Sequence, residues 1–340
     1  MRALRLTGER QLELVDIADT PPPGEGEVQI AVKAMALNHI DVWGWRGMAF
    51  AKRELPIVVG VEAAGEIVAV GEGVASVKPG DKVAMYGART CGTCKPCRQG
   101  RDNLCENVAG IMGFHVDGFC RDLVNISERH IVPVPDGVNW VNAACTSVTF
   151  GTTEHMLFDN AKLEAGETIL VHAGGSGVGS SAILMAKDVG ATVIATVGDD
   201  EKAEKAKAIG ADHVINYREE RFESRARRLT GKVGVDVVFE HVGADTFAGS
   251  MFAMKKGGRL VTCGSTTGVS AQINLYQLFQ QQLRLIGSFG CRIDNMRASL
   301  EKMARGILPV IDTEITLENF AEGLERLESR RVFGKIVVTF

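Results

Sequence analysis

One segment, residues 168–190, constrains the fold of this chain more than any other. It begins with the apolar run Ile169-Leu170-Val171, which is typical of a strand buried in a parallel sheet. A turn dense in glycine follows between Gly174 and Gly179, and apolar residues then recur every three or four positions, which predicts a helix. A plain strand-to-helix turn would explain these features. The same order also forms a cradle for a pyrophosphate at a helix N-terminus, so the segment favours a dinucleotide-binding fold.

The chain after this segment alternates between strand and helix patterns. Strands are predicted at 192–197, 213–216, 235–240, 259–263 and 284–288, with helical patterns of about ten residues between the earlier ones. Such alternation predicts an α/β fold with a doubly wound parallel sheet, which binds its ligand at the carboxyl ends of the strands.

The residues before Val138 are predicted to be rich in β-structure. Short alternating runs are joined by turns, and the apolar stretch 56–70 contains internal glycines, as expected of strands that bend at the corners of a barrel. We therefore predict one domain from residues 1–137 and 290–340, and a dinucleotide-binding domain from residues 138–289. A strand at 335–339 is expected to return to the first domain.

Composition and charge limit the partners of the protein. The 340 residues carry a net charge of −4, which gives no electrostatic reason to expect nucleic acid. An apolar run of the roughly 18 residues that a membrane span needs is missing, as is a signal-peptide start, so we expect a cytoplasmic protein that acts on a small molecule without binding a membrane.

Four of the eight cysteines lie close together, at Cys91, Cys94, Cys97 and Cys105. Four thiolates at this spacing suit one tetrahedral Zn²⁺ with no open position, which is a structural site. Two disulfides or a redox pair are the alternatives. A cytoplasmic setting disfavours disulfides, and four cysteines are more than a redox pair needs.

These features together resemble the medium-chain dehydrogenase/reductase superfamily over essentially the whole chain. The resemblance is carried by Gly60-Val61-Glu62, the four cysteines, Lys78-Pro79-Gly80-Asp81 and the glycine turn. It implies a GroES-like β-rich catalytic domain, with a zinc lobe at about residues 87–110, and a Rossmann domain. It also implies a homodimer, because small relatives pair through the edge of the nucleotide sheet, here predicted at 284–289.

Positions that match the catalytic zinc ligands of the alcohol dehydrogenase branch carry other residues here. Asn38 stands where cysteine is expected, Val61 where histidine is expected, and Val148 at or near the third position. Valine cannot bind a metal, and asparagine is a poor ligand for Zn²⁺. The chain therefore resembles zinc-free quinone and enone reductases at this site, and we expect Asn38 to donate to a substrate carbonyl, with Asp41 and Thr149 as further catalytic candidates.

Cofactor contacts are implied by the resemblance at matching positions. They are Thr152 on the nicotinamide side, Gly174, Ser176, Gly177, Val178 and Gly179 at the pyrophosphate, His241, Val242 and Gly243 on the adenine side, and Gly264 and Ser265 near the carboxamide. An NAD enzyme places Asp or Glu about 20 residues beyond the glycine turn, at the end of the second strand. Val197 and Gly198 stand there, and Lys202, Tyr217 and Arg218 resemble a 2′-phosphate site, which favours NADPH. Asp199 and Asp200 argue for NADH.

The sequence thus predicts an NAD(P)H-dependent oxidoreductase that reduces a quinone or an activated C=C bond without a catalytic metal. One alternative is an alcohol or aldehyde dehydrogenase with an unconventional metal site. Another is a crystallin-like protein that binds the cofactor without turnover.

Overall fold

The computed structural model describes residues 1–48 and 53–340. They form two compact units, of which unit 1 comprises Met1–Gly151 and Cys291–Phe340 and unit 2 comprises Thr152–Gly290. The strands are β1 (Arg2–Gly8), β2 (Gln11–Asp16), β3 (Glu27–Ala36), β4 (Ile57–Val58), β5 (Ala63–Val70), β6 (Lys82–Met85), β7 (Ala88–Arg89), β8 (Gly110–Ile111), β9 (Leu123–Ser127), β10 (Ile131–Pro133), β11 (Thr168–Val171), β12 (Thr192–Val197), β13 (His213–Asn216), β14 (Val235–Glu240), β15 (Met254–Thr262), β16 (Arg284–Gly287), β17 (Ile311–Ile315) and β18 (Lys335–Thr339).

Helices occur in both units. The α-helices are α1 (His39–Trp45), α2 (Lys95–Arg98), α3 (Trp140–Ala143), α4 (Gly151–Glu154), α5 (Gly177–Asp188), α6 (Asp200–Ala208), α7 (Phe222–Leu229), α8 (Ala244–Ala253), α9 (Leu275–Gln280), α10 (Ile293–Ala304) and α11 (Phe320–Glu328). Two π-helical turns, Thr146–Phe150 and His155–Asn160, flank α4. Short 3₁₀ turns lie at Asp102–Leu104, Glu128–His130 and Leu317–Asn319. Every helix among the described residues is too short or too polar to cross a membrane.

Unit 1 is built around β3, which pairs antiparallel with β5, β9 and β18. The register of β3 and β5 shifts twice, and Gly65 lies where the strands crowd, because a Cβ there would meet the carbonyl oxygen of Ala31 at 2.3 Å. This matches the predicted use of glycine at a bend. Strand β18 joins β3 from the far end of the sequence and pairs parallel with β17, so the predicted return of the strand at 335–339 is confirmed.

Unit 2 contains a parallel sheet of six strands in the order β13-β12-β11-β14-β15-β16. This is the doubly wound order of a Rossmann fold, and the direction of winding reverses between β11 and β14. Ligands of such sheets bind at that reversal, beyond the carboxyl ends of the strands. The helix predicted after the glycine turn is α5, which buries Ala182 and Met185 fully.

The division between the units differs from the predicted one at its first crossing. The helical residues from Trp140 to Phe150 lie in unit 1, whereas the sequence pattern placed the change near Val138. The physical reason is a long-range contact: Glu62 of unit 1 binds the backbone of Val148 and Thr149. The sequence pattern therefore changes from strand to helix near Val138, before the boundary between the units at Thr152. Helix α9 and strand β17 were not predicted.

Candidate functional site

The glycine turn lies between β11 and α5 at the carboxyl edge of the sheet in unit 2. Ser176 caps α5, and its Oγ accepts the N–H of Gly179 at 2.9 Å. A Cβ on Gly179 would lie 2.2 Å from the carbonyl oxygen of Ala173, so only glycine fits there. The first-turn N–H groups of a helix lack intrahelical partners and attract anions, so this turn has the donors that a pyrophosphate requires. Of the five predicted residues, Gly174 lies in the turn, Ser176 caps α5, and Gly177, Val178 and Gly179 form the first turn of that helix.

Two further predicted segments converge on this turn. His241 begins the loop after β14, and its Nε2 lies 3.0 Å from the carbonyl oxygen of His172, which directly precedes the glycine turn. The loop after β15 packs against the same residues, because a Cβ on Gly264 would lie 2.8 Å from the carbonyl oxygen of His241. A Cβ on Gly243 would lie 2.9 Å from the Cα of Ser265. The predicted adenine-side and carboxamide-side residues therefore occupy neighbouring loops at the point where the sheet reverses.

Gly198 and Tyr217 meet at the end of the second strand of unit 2. A Cβ on Gly198 would lie 2.6 Å from the phenol oxygen of Tyr217. Val197 and Gly198 stand where an NAD enzyme carries a carboxylate, and the half-exposed Tyr217 covers Gly198. Arg218 follows Tyr217 directly.

The two aspartates that argued for NADH already have partners within unit 2. Asp199 caps α6 and accepts the N–H of Lys202 at 2.8 Å. Asp200 accepts a hydrogen bond from the side chain of Asn216 at 3.2 Å. Both carboxylates are therefore held by local contacts that do not involve a ribose.

Thr152 is the first residue of unit 2 and is 5% exposed. Its neighbour Thr153 donates to the carbonyl oxygen of Val178 in the glycine turn at 3.4 Å. The predicted nicotinamide-side residue is thus next to a residue that contacts the turn.

Unit 1 contains a buried polar cluster centred on Glu62, which is fully buried. Its Oε1 accepts the backbone N–H groups of Val148 and Thr149 at 2.6 and 2.7 Å. Its Oε2 accepts the side-chain amide of Asn38 and the hydroxyl of Thr149, both at 2.9 Å. The carboxylate therefore joins the end of β3 to the π-helical turn at Thr146–Phe150.

The π-helical turn makes this contact possible. A π-helix bonds residues five apart, and such turns recur at functional sites because they interrupt the regular α-helical ladder. Here two successive N–H groups, those of Val148 and Thr149, point to one carboxylate oxygen. This turn was not predicted.

Lys335 supplies the positive charge of the cluster and was missed by the sequence analysis. Its ammonium donates to the carbonyl oxygen of Leu37 at 2.6 Å, to Oδ1 of Asn38 at 2.8 Å and to Oε2 of Glu62 at 3.3 Å. An ammonium has three protons, so all of its donor capacity is used. The available signal was a lone lysine at the start of an otherwise apolar strand, Lys335–Thr339.

Asn38 and Asp41 stand at the start of α1. Both amide hydrogens of Asn38 have acceptors within unit 1, namely the carbonyl oxygen of Ala36 at 2.9 Å and Glu62. Asp41 accepts the backbone N–H of Asn38 at 2.8 Å. Burial raises the pKa of Asp41 to about 7, although the hydrogen bond from Asn38 and the charge of Lys335 lower it. Asn38 therefore has to exchange a partner before it can donate to a substrate.

The three positions that match metal ligands in alcohol dehydrogenases surround this cluster. Val61 directly precedes Glu62 in the sequence. The backbone N–H of Val148 donates to Glu62, and the side-chain oxygen of Asn38 accepts a hydrogen bond from the Lys335 ammonium. Among the described residues, the single group of three or more potential His, Cys, Asp and Glu ligands lies elsewhere, at the four cysteines.

The four predicted cysteines converge in unit 1. All four sulfur atoms lie within 4.8 Å of one another, and the distances from Cys105 Sγ to Cys91 Sγ and Cys94 Sγ are 3.6 and 3.9 Å. Four sulfurs at about 2.3 Å from a zinc ion would be roughly 3.8 Å apart. All four are free thiols in the structure. The four sulfur atoms are therefore close enough together to hold one metal ion.

The raised pKa of Asp41 predicts how stability changes with pH. Because the folded carboxyl has a pKa of about 7, above its ordinary value of 3.8, folding takes up a proton between these values. The contribution of Asp41 to stability is therefore full below about pH 4 and is lost as the pH rises to about 7. Asp41→Asn cannot ionise and keeps an acceptor for Asn38. Denaturant unfolding should show this variant gaining stability relative to the wild type between pH 5 and pH 8.

Asp81→Asn is the control for this experiment. A hydrogen bond from the Lys78 N–H holds the pKa of Asp81 below its ordinary value, so this carboxyl is ionised at both pH values. The difference in unfolding free energy between Asp81→Asn and the wild type should be the same at pH 5 and at pH 8. An Asp41→Asn difference that is equally independent of pH would contradict the prediction.

Comparison with known proteins agrees with this architecture. Residues 24–136 match the alcohol dehydrogenase GroES-like domain, and residues 177–305 match the zinc-binding dehydrogenase model. Acryloyl-coenzyme A reductase of Metallosphaera sedula is 32% identical over 343 residues, which cover 100% of both chains.

Solved structures of oxidoreductases are also similar to this chain over its whole length. An NAD-dependent alcohol dehydrogenase is 38% identical with a TM-score of 0.94, and the match covers 100% of both chains. Crotonyl-CoA carboxylase/reductase AntE in complex with NADP is 25% identical with a TM-score of 0.91, covering 100% of this chain and 94% of that one. This chain is therefore an oxidoreductase that belongs to the medium-chain dehydrogenase/reductase superfamily.

Proposed function

We propose that this protein is an NADPH-dependent reductase that adds hydride to a C=C bond conjugated with a carbonyl, and that it uses no catalytic metal. The observation that carries the proposal is the chemistry at Asn38, Val61 and Val148. Two of these side chains have no ligand atom, and the oxygen of the third accepts a hydrogen bond from the Lys335 ammonium. A Lewis acid at this place would have no set of side chains to hold it.

The lack of metal ligands limits the reaction that the site can support. Reduction of a bare aldehyde relies on strong polarisation of the carbonyl, which zinc provides in alcohol dehydrogenases. In a conjugated substrate the charge that develops spreads from the reacting carbon to the carbonyl oxygen, so less electrophilic help is required. The 32% identity to an acryloyl-coenzyme A reductase supports an enoyl thioester as the substrate, with a quinone as the other conjugated candidate.

Asn38, Asp41 and Thr149 are proposed as the groups that orient and polarise the substrate. Asn38 would donate to the substrate carbonyl in place of its bond to the carbonyl oxygen of Ala36, so that one hydrogen bond of the amide replaces another. The Lys335 ammonium, 2.8 Å from the Asn38 oxygen, polarises the amide and strengthens it as a donor. When bound, NADPH supplies the hydride.

The preference for NADPH rests on the ribose end of unit 2. Val197 and Gly198 stand where the carboxylate of an NAD enzyme is expected, and Asp199 and Asp200 each accept a hydrogen bond from within unit 2. Lys202 and Arg218 offer positive charge for a 2′-phosphate, with Tyr217 between the strand end and Arg218. The NADP complex of a relative at 25% identity supports this assignment.

An alcohol dehydrogenase with an unconventional metal site is the second candidate, favoured by the 38% identity to an NAD-dependent alcohol dehydrogenase. Binding of cofactor without turnover is the third. The three candidates differ in whether NADPH is consumed, with which acceptor, and in the effect of a chelator.

The deciding experiment measures NAD(P)H oxidation with acryloyl-CoA, a quinone and an aldehyde. We expect turnover with a conjugated acceptor, a kcat/KM for NADPH at least about tenfold above that for NADH, and no effect of a chelator that spares the fold. Asn38→Ala should lower kcat/KM by roughly 10²–10³ if Asn38 donates to the carbonyl. Asn125→Ala, on β9 and bonded to Pro21, is the matched control. Alcohol oxidation abolished by the chelator would establish the second candidate instead, and absence of turnover with every acceptor would establish the third.

We further propose that Cys91, Cys94, Cys97 and Cys105 hold one structural zinc ion and that the protein is cytoplasmic, a setting in which cysteines outside disulfides stay reduced. Cys97→Ser should weaken zinc retention and lower the melting temperature, because metal-binding free energy is folding free energy at such a site. Cys263→Ser, outside the cluster, is the control. Elemental analysis should give one zinc per wild-type chain. Unchanged zinc content and melting temperature in Cys97→Ser would contradict the assignment.

We also propose a homodimer formed through β16. Among the described strands β16 pairs only with β15, which leaves one edge of the sheet open. Large apolar side chains around it are 64–84% exposed: Val269, Leu275, Tyr276, Phe279 and Phe289. A second copy fits this surface, because a two-fold axis brings the same edge and the same apolar residues together.

Light scattering at micromolar concentration should give twice the chain mass of 36.5 kDa. Phe279→Glu, on the exposed face of α9, should shift the mass toward the monomer, because it would bury a charge in the interface. Phe252→Glu changes an exposed phenylalanine of α8 and is the control. A wild-type monomer would refute the proposal.

A further inference from the structure

A second buried carboxylate lies in unit 2 and was not among the predicted site residues. Glu240, the last residue of β14, is fully buried. Its Oε1 accepts the N–H groups of Val242 and Gly243 at 2.7 and 3.1 Å. Its Oε2 accepts the hydroxyls of Thr246 and Ser250 at 2.9 and 3.0 Å. Glu240 therefore fixes the backbone of the adenine-side loop from within the sheet.

His172 connects this carboxylate to the glycine turn. It follows β11, the neighbour of β14, and is 1% exposed. Its Nε2 lies 2.8 Å from Oγ of Ser250, and its Nδ1 lies 3.2 Å from Oγ1 of Thr196 on β12. Thr196 in turn accepts the N–H of Ala173, the residue that enters the glycine turn, at 3.2 Å. The chain of contacts thus crosses three adjacent strands at their carboxyl ends.

The positions of the protons along this chain follow from counting donors. Ser250 gives its single hydroxyl proton to the Glu240 carboxylate, so it must accept from His172, and Nε2 of His172 carries a proton. Burial lowers the pKa of His172, so the ring is neutral and Nδ1 is an acceptor. Thr196 accepts from Ala173 and is therefore free to donate to Nδ1. Every donor in the chain then has an acceptor.

Glu240 determines which group donates in each hydrogen bond from Ser250 to Thr196. A carboxylate only accepts hydrogen bonds, so it draws the hydroxyl proton of Ser250 toward itself and sets each later bond. The carbonyl oxygen of His172 accepts a hydrogen bond from Nε2–H of His241. The same Nε2 atom of His241 lies 3.4 Å from Oγ of Ser176. The adenine-side loop and the glycine turn are therefore tied together both through the backbone and through the His172 ring.

We propose that Glu240 is a positioning residue for the dinucleotide: it fixes the Nε2–H tautomer of His172 and, through it, the spacing between the glycine turn and the loop His241-Val242-Gly243. The proposal rests on the proposed function only in that the dinucleotide binds at this turn. Neither Glu240 nor His172 is assigned a contact with the cofactor.

Glu240→Gln tests the proposal with a nearly isosteric side chain. The amide NH₂ would face Ser250 and Thr246 and would donate where the carboxylate accepts. The Ser250 hydroxyl would then donate to Nε2 of His172, so the His172 tautomer should change to Nδ1–H. Long-range ¹H–¹⁵N spectra of histidine-labelled protein distinguish the two tautomers, and His172→Asn assigns the signals. The Kd for NADPH, measured by its fluorescence, should rise about tenfold or more, while KM for the acceptor at saturating NADPH stays unchanged. Glu223→Gln, a buried glutamate of α7 bonded to Arg221, is the control.

A second variant covers the case in which Glu240→Gln does not fold. Thr196→Val breaks the same chain at its other end, so it should also weaken NADPH binding, and its effect on log Kd should be non-additive with that of Glu240→Gln when both are measurable. An unchanged tautomer in Glu240→Gln, or an unchanged Kd in either variant, would overturn the proposal. Tight NADPH binding without turnover would instead refute the proposed function and leave this inference standing, since the tautomer is read in the free protein.

Discussion

The buried charge pair of Lys335 and Glu62 is the interaction on which the polar centre of unit 1 depends. Taking two charges out of water costs several kcal/mol per ion, and this is offset only when every remaining donor and acceptor is satisfied. Here the ammonium has three acceptors and the carboxylate has five donors, drawn from the end of β3, from the π-helical turn and from β18. A zinc ion held by side chains at positions 38, 61 and 148 would also join the end of β3 to the π-helical turn, but it would not include β18. In this protein an ion pair and its hydrogen bonds join the end of β3, the π-helical turn and β18, and two of the three matching ligand positions are valine.

Unit 2 uses a buried carboxylate in a similar way at the carboxyl edge of its own sheet. Glu240 accepts two backbone N–H groups beyond β14, as Glu62 accepts two from the π-helical turn. In both cases a side chain from the end or the edge of a strand orders a loop that has no regular hydrogen-bonding pattern of its own. The difference lies in the counter-charge: Glu62 faces an ammonium, whereas Glu240 faces a neutral imidazole and hydroxyls.

The sequence predicted those parts of the fold and of the site whose signals are local. Strands β12, β13 and β14 were placed to the residue, because each is a compact run between helical patterns, and the cysteine cluster followed from its spacing. Lys335 could not be found in this way, since its partner Glu62 is 273 residues distant in the chain. The π-helical turn was also missed, because its amide groups are ordered by that same distant carboxylate. The engagement of both Asn38 amide hydrogens is likewise visible only once the long-range partners are in place.

The return of β18 to β3 also determines when the polar centre can form during synthesis. Unit 2, residues 152–290, is continuous in sequence and is translated before β18. Lys335, which neutralises Glu62, is therefore synthesised only after the early strands of unit 1 and the whole of unit 2. During that interval the nascent chain holds Glu62 without its counter-ion and β3 without its β18 partner at Ala34–Ala36, and an exposed strand edge of this kind invites wrong pairing. Because its counter-charge lies beyond unit 2 in the sequence, the polar centre of unit 1 can form only after residues 152–290 have been synthesised.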